Sequence, residues 1–320
     1  MPQRRKPISI ELLRERLDRL VATFDVSTIE PDPLQLVLRY SDPLDQEVAG
    51  LLAAAFAYGR ASIVVANVGW VLARMRPAPF AWLQSFERRE AERRFAGFAH
   101  RFHKTRDLVD LLERLAVAIQ RHGSLGELFL RCYDGRDRDI GPSLARFVDA
   151  LLHGESSECD NGASNTARLR PNSKALEYLL SSPSNGSACK RMNLYLRWMV
   201  RRTAPDLALW TFVDPAKLVI PVDTHIHRIA SFLGLGSRRS ADWKAARAIT
   251  DALARFDPED PVRYDFALCR LGILDLCSRK RREENCAVCL LLDVCGFPVA
   301  KSKRLDRIDG CAMASDHRTH

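Results

Sequence analysis

Residues 222–235 read VDTHIHRIASFLGL, and this stretch indicates both a fold class and a candidate site. Asp223 is of a type favoured at a helix N-cap, and Gly234 is of a type favoured just past a helix end. Between them the apolar residues recur at helical spacing, at Ile226, Ile229, Ala230 and Leu233. The stretch therefore predicts a helix capped by Asp223.

An acidic residue and two histidines also alternate here, which suggests a metal site or acid–base chemistry. Asp223, His225 and His227 match the Asp-Thr-His-x-His motif of TIM-barrel metallohydrolases, a fold of about 250 residues that takes further ligands from later strands. The segments after His227 have helical patterns instead. On a helix, His225 and His227 lie about 200° apart and cannot bind one metal ion. We expect supporting roles for both histidines.

Helical spacing of apolar residues continues along the chain, and strand-like alternation bounded by turns is hard to find. The clearest segments are IELLRERLDRLVATF (10–24), DQEVAGLLAAAFAYG (45–59), ASIVVANVGWVLARM (61–75), DLVDLLERLAVAIQ (107–120), SLARFVDALL (143–152) and SADWKAARAITDALARF (240–256). These patterns predict an all-α protein.

The chain divides at polar segments. Residues 154–172, GESSECDNGASNTARLRPN, indicate a long exposed loop between two helical halves. The expected parts are an N-terminal helix (1–32) packed on the C-terminal lobe, a helical lobe (33–218) with a hairpin at 181–200, a second lobe carrying Asp223 (219–276), a cysteine loop (277–297) and a basic, disordered tail (298–320).

Composition is that of a globular protein, with 47% hydrophobic and 28% charged residues among 320. The net charge of +9 favours a polyanionic partner, although basic surfaces also serve solubility. Apolar runs fall short of the roughly 20 residues of a membrane helix, and the N-terminal segment lacks the apolar core of a signal peptide. We expect a monomer in the cytoplasm, associated with the nucleoid, with its nine cysteines outside disulfides.

Four cysteines near the C-terminus form the strongest chemical signal. Cys277, Cys286, Cys289 and Cys295 follow the spacing C-x8-C-x2-C-x5-C. The close pair suits two thiolates on one metal centre, whereas a zinc site usually shows two short pairs. A four-iron, four-sulfur cluster is the favoured interpretation, with zinc and no metal as the alternatives.

The first cysteine interval encloses a run of basic residues, Arg279, Lys280, Arg281 and Arg282. Most such runs are solvated charges. A loop held at both ends by cluster ligands would be ordered before DNA binds. Less conformational entropy is then lost when the loop binds phosphates. We favour a phosphate-binding loop.

The segment SSPSNGSACKRMNLYLRWMV (181–200) indicates a turn followed by a helix that begins near Ser187. Backbone N–H groups at such a start, with Gly186 allowing close approach, form an anion site to which Ser184 would also contribute. Lys190 and Arg191 lie in the first turn, where the positive end of the helix dipole repels cations. A bound phosphate would offset this repulsion. An ordinary helical hairpin packed through apolar residues remains the alternative.

The capping carboxylate of Asp223 has a chemical use. Backbone N–H groups and the positive helix end hold such a carboxylate ionised and oriented. A fixed anion can stabilise a developing sugar cation, as carboxylates do in glycoside cleavage. A structural cap is the simpler alternative.

Taken in order, these features resemble the helix-hairpin-helix-GPD superfamily of DNA glycosylases, in particular its endonuclease III and adenine-glycosylase branch. A closer resemblance, to an uncharacterised bacterial family of unknown function within it, rests on DQEVAGLLAAAFAYGR (45–60), NGSACKRMNLYLRWMVR (185–201), IPVDTHIHRIASFLGL (220–235) and DPEDPVRYDFALCRLG (257–272).

The resemblance implies two helical lobes around a cleft into which a damaged nucleotide is flipped. Asp223 matches the essential aspartate of the family motif and Arg228 its usual arginine, which implies that Arg228 contacts DNA. The four cysteines match the iron–sulfur cluster, with a longer first interval than in endonuclease III. The cluster would position the basic loop on DNA.

The sequence departs from the superfamily at the hairpin and at the base cleft. One hairpin glycine is missing, and the position of the catalytic lysine falls on Ala188, about 200° around a helix from Lys190. A Schiff-base lyase through Lys190 is therefore doubtful, and a phosphate contact is the other role. Tyr58 and Arg60 stand near the position of a helix-inserting glutamine and could fill the DNA gap, or Tyr58 could be core.

The expected function is a DNA-repair glycosylase-like protein that binds duplex DNA, flips a damaged base and cleaves its N-glycosidic bond. Weak lyase activity at abasic sites would need Lys190 as nucleophile. The alternative is a DNA- or RNA-binding protein that keeps the scaffold without catalysis.

Overall fold

The computed structural model describes residues 9–154, 172–278, 280 and 282–297. Of the expected features, most of the exposed loop (155–171), the basic tail (298–320), Arg279 and Arg281 lie outside these residues. The helices are α1 (Ile10–Thr23), α2 (Leu34–Val37), α3 (Pro43–Ala55), α4 (Ala61–Leu72), α5 (Pro79–Gln84), α6 (Arg88–Arg94), α7 (Thr105–His122), α8 (Leu125–Cys132), α9 (Gly141–His153), α10 (Lys174–Leu179), α11 (Lys190–Val200), α12 (Thr224–Phe232), α13 (Trp243–Leu253), α14 (Asp265–Ile273) and α15 (Glu283–Ala287). Short 3₁₀ helices lie at Val26–Thr28, Pro183–Asn185, Pro215–Lys217, Pro261–Tyr264 and Leu292–Val294.

The all-α prediction is confirmed, with one small addition. Strands β1 (Ala99–His100) and β2 (His103–Lys104) form an antiparallel hairpin in which His100 pairs with His103. Two residues per strand are too few to show alternation, so the sequence pattern could not reveal the hairpin. Across the described residues, no helix has both the length and the apolar content to cross a membrane.

Many of the helices have a polar residue at the N-cap. A serine or aspartate at the N-cap accepts a hydrogen bond from a backbone N–H of the first turn, which satisfies a donor that the helix itself cannot. The caps of this kind are Ser9, Asp42, Ser124, Ser173, Asp223 and Asp242.

Helices α3 and α11 form the centre of the core. Every residue of α11 after Lys190 is buried, and small residues along α3 let the two helices pack closely. A Cβ added at Gly50 would lie 2.8 Å from Met199 Cε and 3.3 Å from Tyr195, so the two helices approach closely at this glycine. The hairpin that carries Lys190 is thereby fixed against α3.

A buried ionic network joins the end of α11 to the start of α14. Arg197 bonds Asp265 at 2.5 Å and contacts Asp206 at 3.2 Å, and Arg201 bonds Asp206 and Asp260. Buried charges are costly unless paired, so this arrangement specifies how the two helices meet. Helix α14 packs against α12 and α1.

Candidate functional site

A cleft of about 750 Å³ opens where α11, α12, α14 and the loop before α4 meet. Its lining combines apolar residues with a set of charged and polar side chains that includes Asp32, Arg60, Lys190, Arg197, Asp223, His225, Asp265, Cys269 and Asp275. Both residues predicted to be catalytic, Asp223 and Lys190, thus line one cleft although they belong to different helices. A concave site with convergent titratable groups is the usual form of a ligand or active site.

Asp223 is the N-cap of α12, as its sequence predicts. Its Oδ1 accepts hydrogen bonds from the N–H groups of His225 at 2.8 Å and Ile226 at 2.9 Å. Both bonds fall on Oδ1, and within the described part of the chain Oδ2 has no hydrogen-bond donor. The helix end therefore holds the carboxylate in one orientation and leaves one oxygen available to the cleft.

Lys190 reaches the cleft because α11 begins later than predicted. The helix starts at Lys190 rather than near Ser187, since Cys189 adopts the left-handed conformation with φ 48°. The angular separation expected between Ala188 and Lys190 therefore does not apply, because neither Ala188 nor Cys189 is helical. Lys190 Nζ donates to the carbonyl of Ala57 at 3.0 Å, which holds its ammonium at the cleft wall.

The floor of the cleft is strongly charged. Burial raises the pKa of the Cys269 thiol, the carboxylates of Asp223, Asp265 and Asp32 raise it further, and Lys190 lowers it. Burial raises the pKa of Asp265 to about 6, against the opposite effect of Arg197. Cys269 is thus a neutral thiol among three carboxylates and one ammonium.

The two histidines of the opening stretch point to different surroundings. His225 lines the cleft and packs on Gly272, where an added Cβ would lie 2.4 Å from its ring. His227 Nε2 instead lies 3.0 Å from the carbonyl oxygen of Arg238. The two side chains do not converge on one site, as their helical spacing predicts.

Arg60 and Tyr58 occupy different environments. Arg60 is exposed and lines the cleft mouth. Tyr58 is half-buried, donates to the carbonyl of His100 at 3.3 Å and bonds the Nδ1 of His103. Burial raises the pKa of the Tyr58 hydroxyl. Tyr58 is held in an aromatic cluster beside the cleft rather than in its lining.

The hairpin residues divide into exposed and buried sets. Ser184 and Gly186 are exposed, with Gly186 at φ 71°, and Ser187 is half-buried and pairs with Asp242. Arg191 is only 8% exposed; its guanidinium donates to the carbonyl of Tyr178 and lies 4.0 Å from the centre of the Tyr178 ring. In this structure Arg191 therefore faces the protein interior, whereas the turn faces solvent.

The cysteine segment is anchored on α12 at both ends. Arg228 Nη2 donates to the carbonyl of Cys277 at 2.5 Å, and Gly296 N–H donates to the carbonyl of Phe232 at 2.7 Å. The rings of Phe232 and Phe297 lie 4.4 Å apart. Arg228, predicted to contact DNA, is half-buried and engaged with the protein.

The four cysteines are electrostatic neighbours. Burial raises the pKa of the Cys277 thiol, which Cys295 and Cys289 raise further and Arg228 lowers. Burial likewise raises the pKa of Cys289, and Cys295 and Cys286 add to this effect. Four sulfur donors suit a cluster or zinc by their chemistry. Among the described residues, however, no group of three or more His, Cys, Asp or Glu side chains is arranged to hold a metal ion.

The described part of the basic loop reaches the cleft through an ion pair. Arg282 Nη1 lies 2.6 Å from Asp275 Oδ2, and Asn285 donates to the Asp275 carbonyl at 3.1 Å. Lys280 is exposed, and its carbonyl accepts from the Ser278 hydroxyl at 2.5 Å. Because Asp275 lines the cleft, the ion pair places Arg282 next to the cleft lining.

Five of the cleft residues named above were not singled out from the sequence: Asp32, Arg197, Asp265, Cys269 and Asp275. Asp265 and Cys269 belong to the segment DPEDPVRYDFALCRLG (257–272), which resembles the family but identifies no individual side chain. Asp32 Oδ1 accepts a hydrogen bond from the N–H of Leu34 at 2.9 Å. The packing of α14 on α12 and the ion pair between Arg197 of α11 and Asp265 of α14 bring Asp265 and Cys269 to the cleft.

A family model described as "Protein of unknown function (DUF2400)" matches residues 32–274. The match includes all of the cleft residues named above except Asp275, and it ends before Cys277. Comparison with curated proteins and with solved structures finds no match.

Proposed function

The chain belongs to the DUF2400 family, whose function is unknown, and we propose that it is a DNA-repair glycosylase-like protein. In this proposal it binds duplex DNA, flips a damaged nucleotide into the cleft and cleaves the N-glycosidic bond. The observation that carries the proposal is the pairing of an oriented carboxylate, Asp223, with an ammonium, Lys190, across one cleft. The cleft volume of about 750 Å³ suits a nucleotide-sized ligand.

Asp223 acts on the sugar. As the C1′–N bond breaks, its electrons leave with the base, and the sugar develops a positive charge that the Asp223 carboxylate stabilises. A water molecule then bonds to C1′, and its proton balances the charge on the departing base. The cap bonds on Oδ1 mean that the carboxylate needs little reorganisation during the reaction.

The cations of the cleft would bind the backbone of the flipped nucleotide. Lys190 and Arg60 both line the cleft, and phosphate contacts fix the orientation of a nucleic acid without reading its sequence. The exposed turn at Ser184 and Gly186 would hold the neighbouring phosphate, with Lys280 and Arg282 on the cysteine side. Arg191 has no part in this surface because it is buried.

We also infer that the two lobes form a helix-hairpin-helix glycosylase-like fold whose cysteine segment holds a 4Fe-4S cluster, with zinc as the alternative. Cys277, Cys286, Cys289 and Cys295 would be its ligands, and the cluster would order the basic loop beside the cleft. The test is anaerobic purification followed by iron, sulfide and zinc analysis. Stoichiometric zinc without sulfide, or no metal, would reject the cluster.

The proposed activity is tested with a panel of lesion-bearing duplexes and the variants Asp223→Asn and Asp42→Asn. Both aspartates are N-caps, and asparagine caps equally well, so both variants keep their helices. Only Asp223 lines the cleft. We expect Asp223→Asn to abolish base release while retaining DNA binding, and Asp42→Asn to behave as wild type.

Equal base release by Asp223→Asn would reject the mechanism. Salt-sensitive binding of DNA or RNA without release from any lesion would support the alternative, a non-catalytic binding protein. Competition between DNA and RNA of the same sequence then identifies the polymer.

A further inference from the structure

Two aromatic rings beside the cleft are unusually exposed. Phe102 is 56% exposed at the tip of the β1–β2 hairpin, and Tyr178 is 42% exposed on α10. Their ring centres are 5.1 Å apart at an angle of 73°. Two large rings that meet in solvent form a small apolar surface with no function in the core.

Other side chains of the protein pack against these two rings and hold them in place. The Tyr58 ring lies 5.7 Å from Phe102 and 5.4 Å from Tyr178, and its hydroxyl bonds His103. The Arg191 guanidinium lies 4.0 Å from the Tyr178 ring centre. The rings are therefore ordered before any ligand arrives, which lowers the entropy cost of binding.

This aromatic surface, defined by Phe102, Tyr178 and Tyr58, adjoins the cleft mouth. A Cβ added at Gly59 would lie 3.3 Å from the Arg101 side chain, so the hairpin tip touches the loop that lines the cleft. Arg60 follows directly in that loop. A polymer that extends from the cleft past Arg60 would therefore contact the aromatic surface.

The charges near the rings indicate which kind of ligand the aromatic surface binds. The exposed charged residues next to the rings along the chain are mostly cationic: Arg101, Lys104, Lys174 and Glu177. A protein partner held by apolar contacts alone would not need these cations. Aromatic rings flanked by cations are the usual means of binding an unpaired nucleic-acid strand, by stacking on bases and attracting phosphates.

We propose that the aromatic surface binds unpaired nucleobases next to the cleft, so that the preferred substrate is a duplex with a single-stranded segment. This inference rests on the proposed function for the identity of the polymer. It names a substrate class narrower than continuous duplex and assigns Phe102 and Tyr178 a role in binding.

The test uses the full chain and fluorescence anisotropy with two labelled DNA probes, a duplex with a single-stranded overhang and a continuous duplex of equal length. Wild type should bind the overhang probe more tightly. Phe102→Ala should weaken that binding about tenfold, since stacking on one base contributes roughly 1–3 kcal/mol. Phe102→Trp should restore it.

Leu130→Ala is the matched control, because Leu130 is 43% exposed but lies outside the aromatic surface. It should bind both probes as wild type does. Equal binding of both probes by wild type, or an unchanged overhang affinity in Phe102→Ala, would overturn the inference. Anisotropy does not depend on turnover, so a failure to release bases rejects the glycosylase activity and leaves the binding result intact.

Discussion

Arg228 donates a hydrogen bond to the backbone carbonyl of Cys277 at 2.5 Å, which ties the helix capped by Asp223 to the first of the four cysteines. The Arg228 guanidinium also lowers the pKa of the Cys277 thiol against the effect of burial. One arginine therefore couples the candidate catalytic helix to the cysteine segment.

We expect Arg228→Met to loosen the cysteine segment. A hydrogen bond from a charged donor contributes about 1.5–3 kcal/mol, so amide exchange in residues 274–297 should accelerate about tenfold. Hydrogen–deuterium exchange measured by mass spectrometry checks this, with Arg138→Met, an exposed arginine paired with Asp251, as the control. Unchanged exchange in residues 274–297 would show that the contact does not restrain the loop.

Lys190→Met should reduce base release about tenfold or more, because it removes an ammonium from the wall of the cleft. Lys190→Arg should retain part of the activity by keeping the charge. Borohydride should trap no adduct with wild type, since the hydrogen bond from Lys190 Nζ to the carbonyl of Ala57 holds the amine at the cleft wall and would have to break before the amine could attack a sugar carbon. A trapped adduct that disappears in Lys190→Met would instead identify a lyase.

Gly272→Ala should disturb the cleft through His225. The new Cβ would lie 2.4 Å from the His225 ring, so α12 and α14 must separate or the ring must move. Overpacking of this kind costs about 1–3 kcal/mol. Urea unfolding should show that loss, while Gly135→Ala, with no atom within 4 Å of the new Cβ, should unfold nearly as wild type does.

Arg197→Met should destabilise the fold by about 3–5 kcal/mol, because it leaves the buried carboxylates of Asp206 and Asp265 without a shared cation. Arg138→Met removes one partner of an ion pair whose side chains are 72% and 61% exposed, and it should cost less than about 1 kcal/mol. Denaturant unfolding of both variants gives the comparison. A similar loss of unfolding free energy in the two variants would show that the buried network stabilises the fold no more than an exposed ion pair does.

Asp265 should make stability depend on pH in the acidic range. Burial raises the pKa of its carboxyl from 3.8 to about 6, so the folded protein holds this proton more tightly than the unfolded chain. The resulting stabilisation is complete below about pH 4 and is lost as the pH rises through about 6. Asp265→Asn cannot titrate, so its free energy of unfolding should fall less than that of wild type between these values. The same pH dependence of the unfolding free energy in wild type and Asp265→Asn would contradict the prediction.

Local patterns predicted the helices and the cap at Asp223 because both depend on neighbouring residues. A helical period and a capping carboxylate can be read within one turn. The start of α11 was misplaced because Cys189 adopts a left-handed conformation that a non-glycine residue seldom takes without help from its surroundings. The hairpin that presents Phe102 was missed because its strands have only two residues each.

The sequence alone determined the helical class, the capped orientation of Asp223 and the divergence of His225 from His227, since each follows from short-range spacing. Only the tertiary structure decided that Lys190, Asp265 and Cys269 share the cleft with Asp223 and that Arg191 is buried. These contacts join residues far apart in the chain. They depend on how α11, α12 and α14 pack around the buried Arg197 network, which no local pattern specifies.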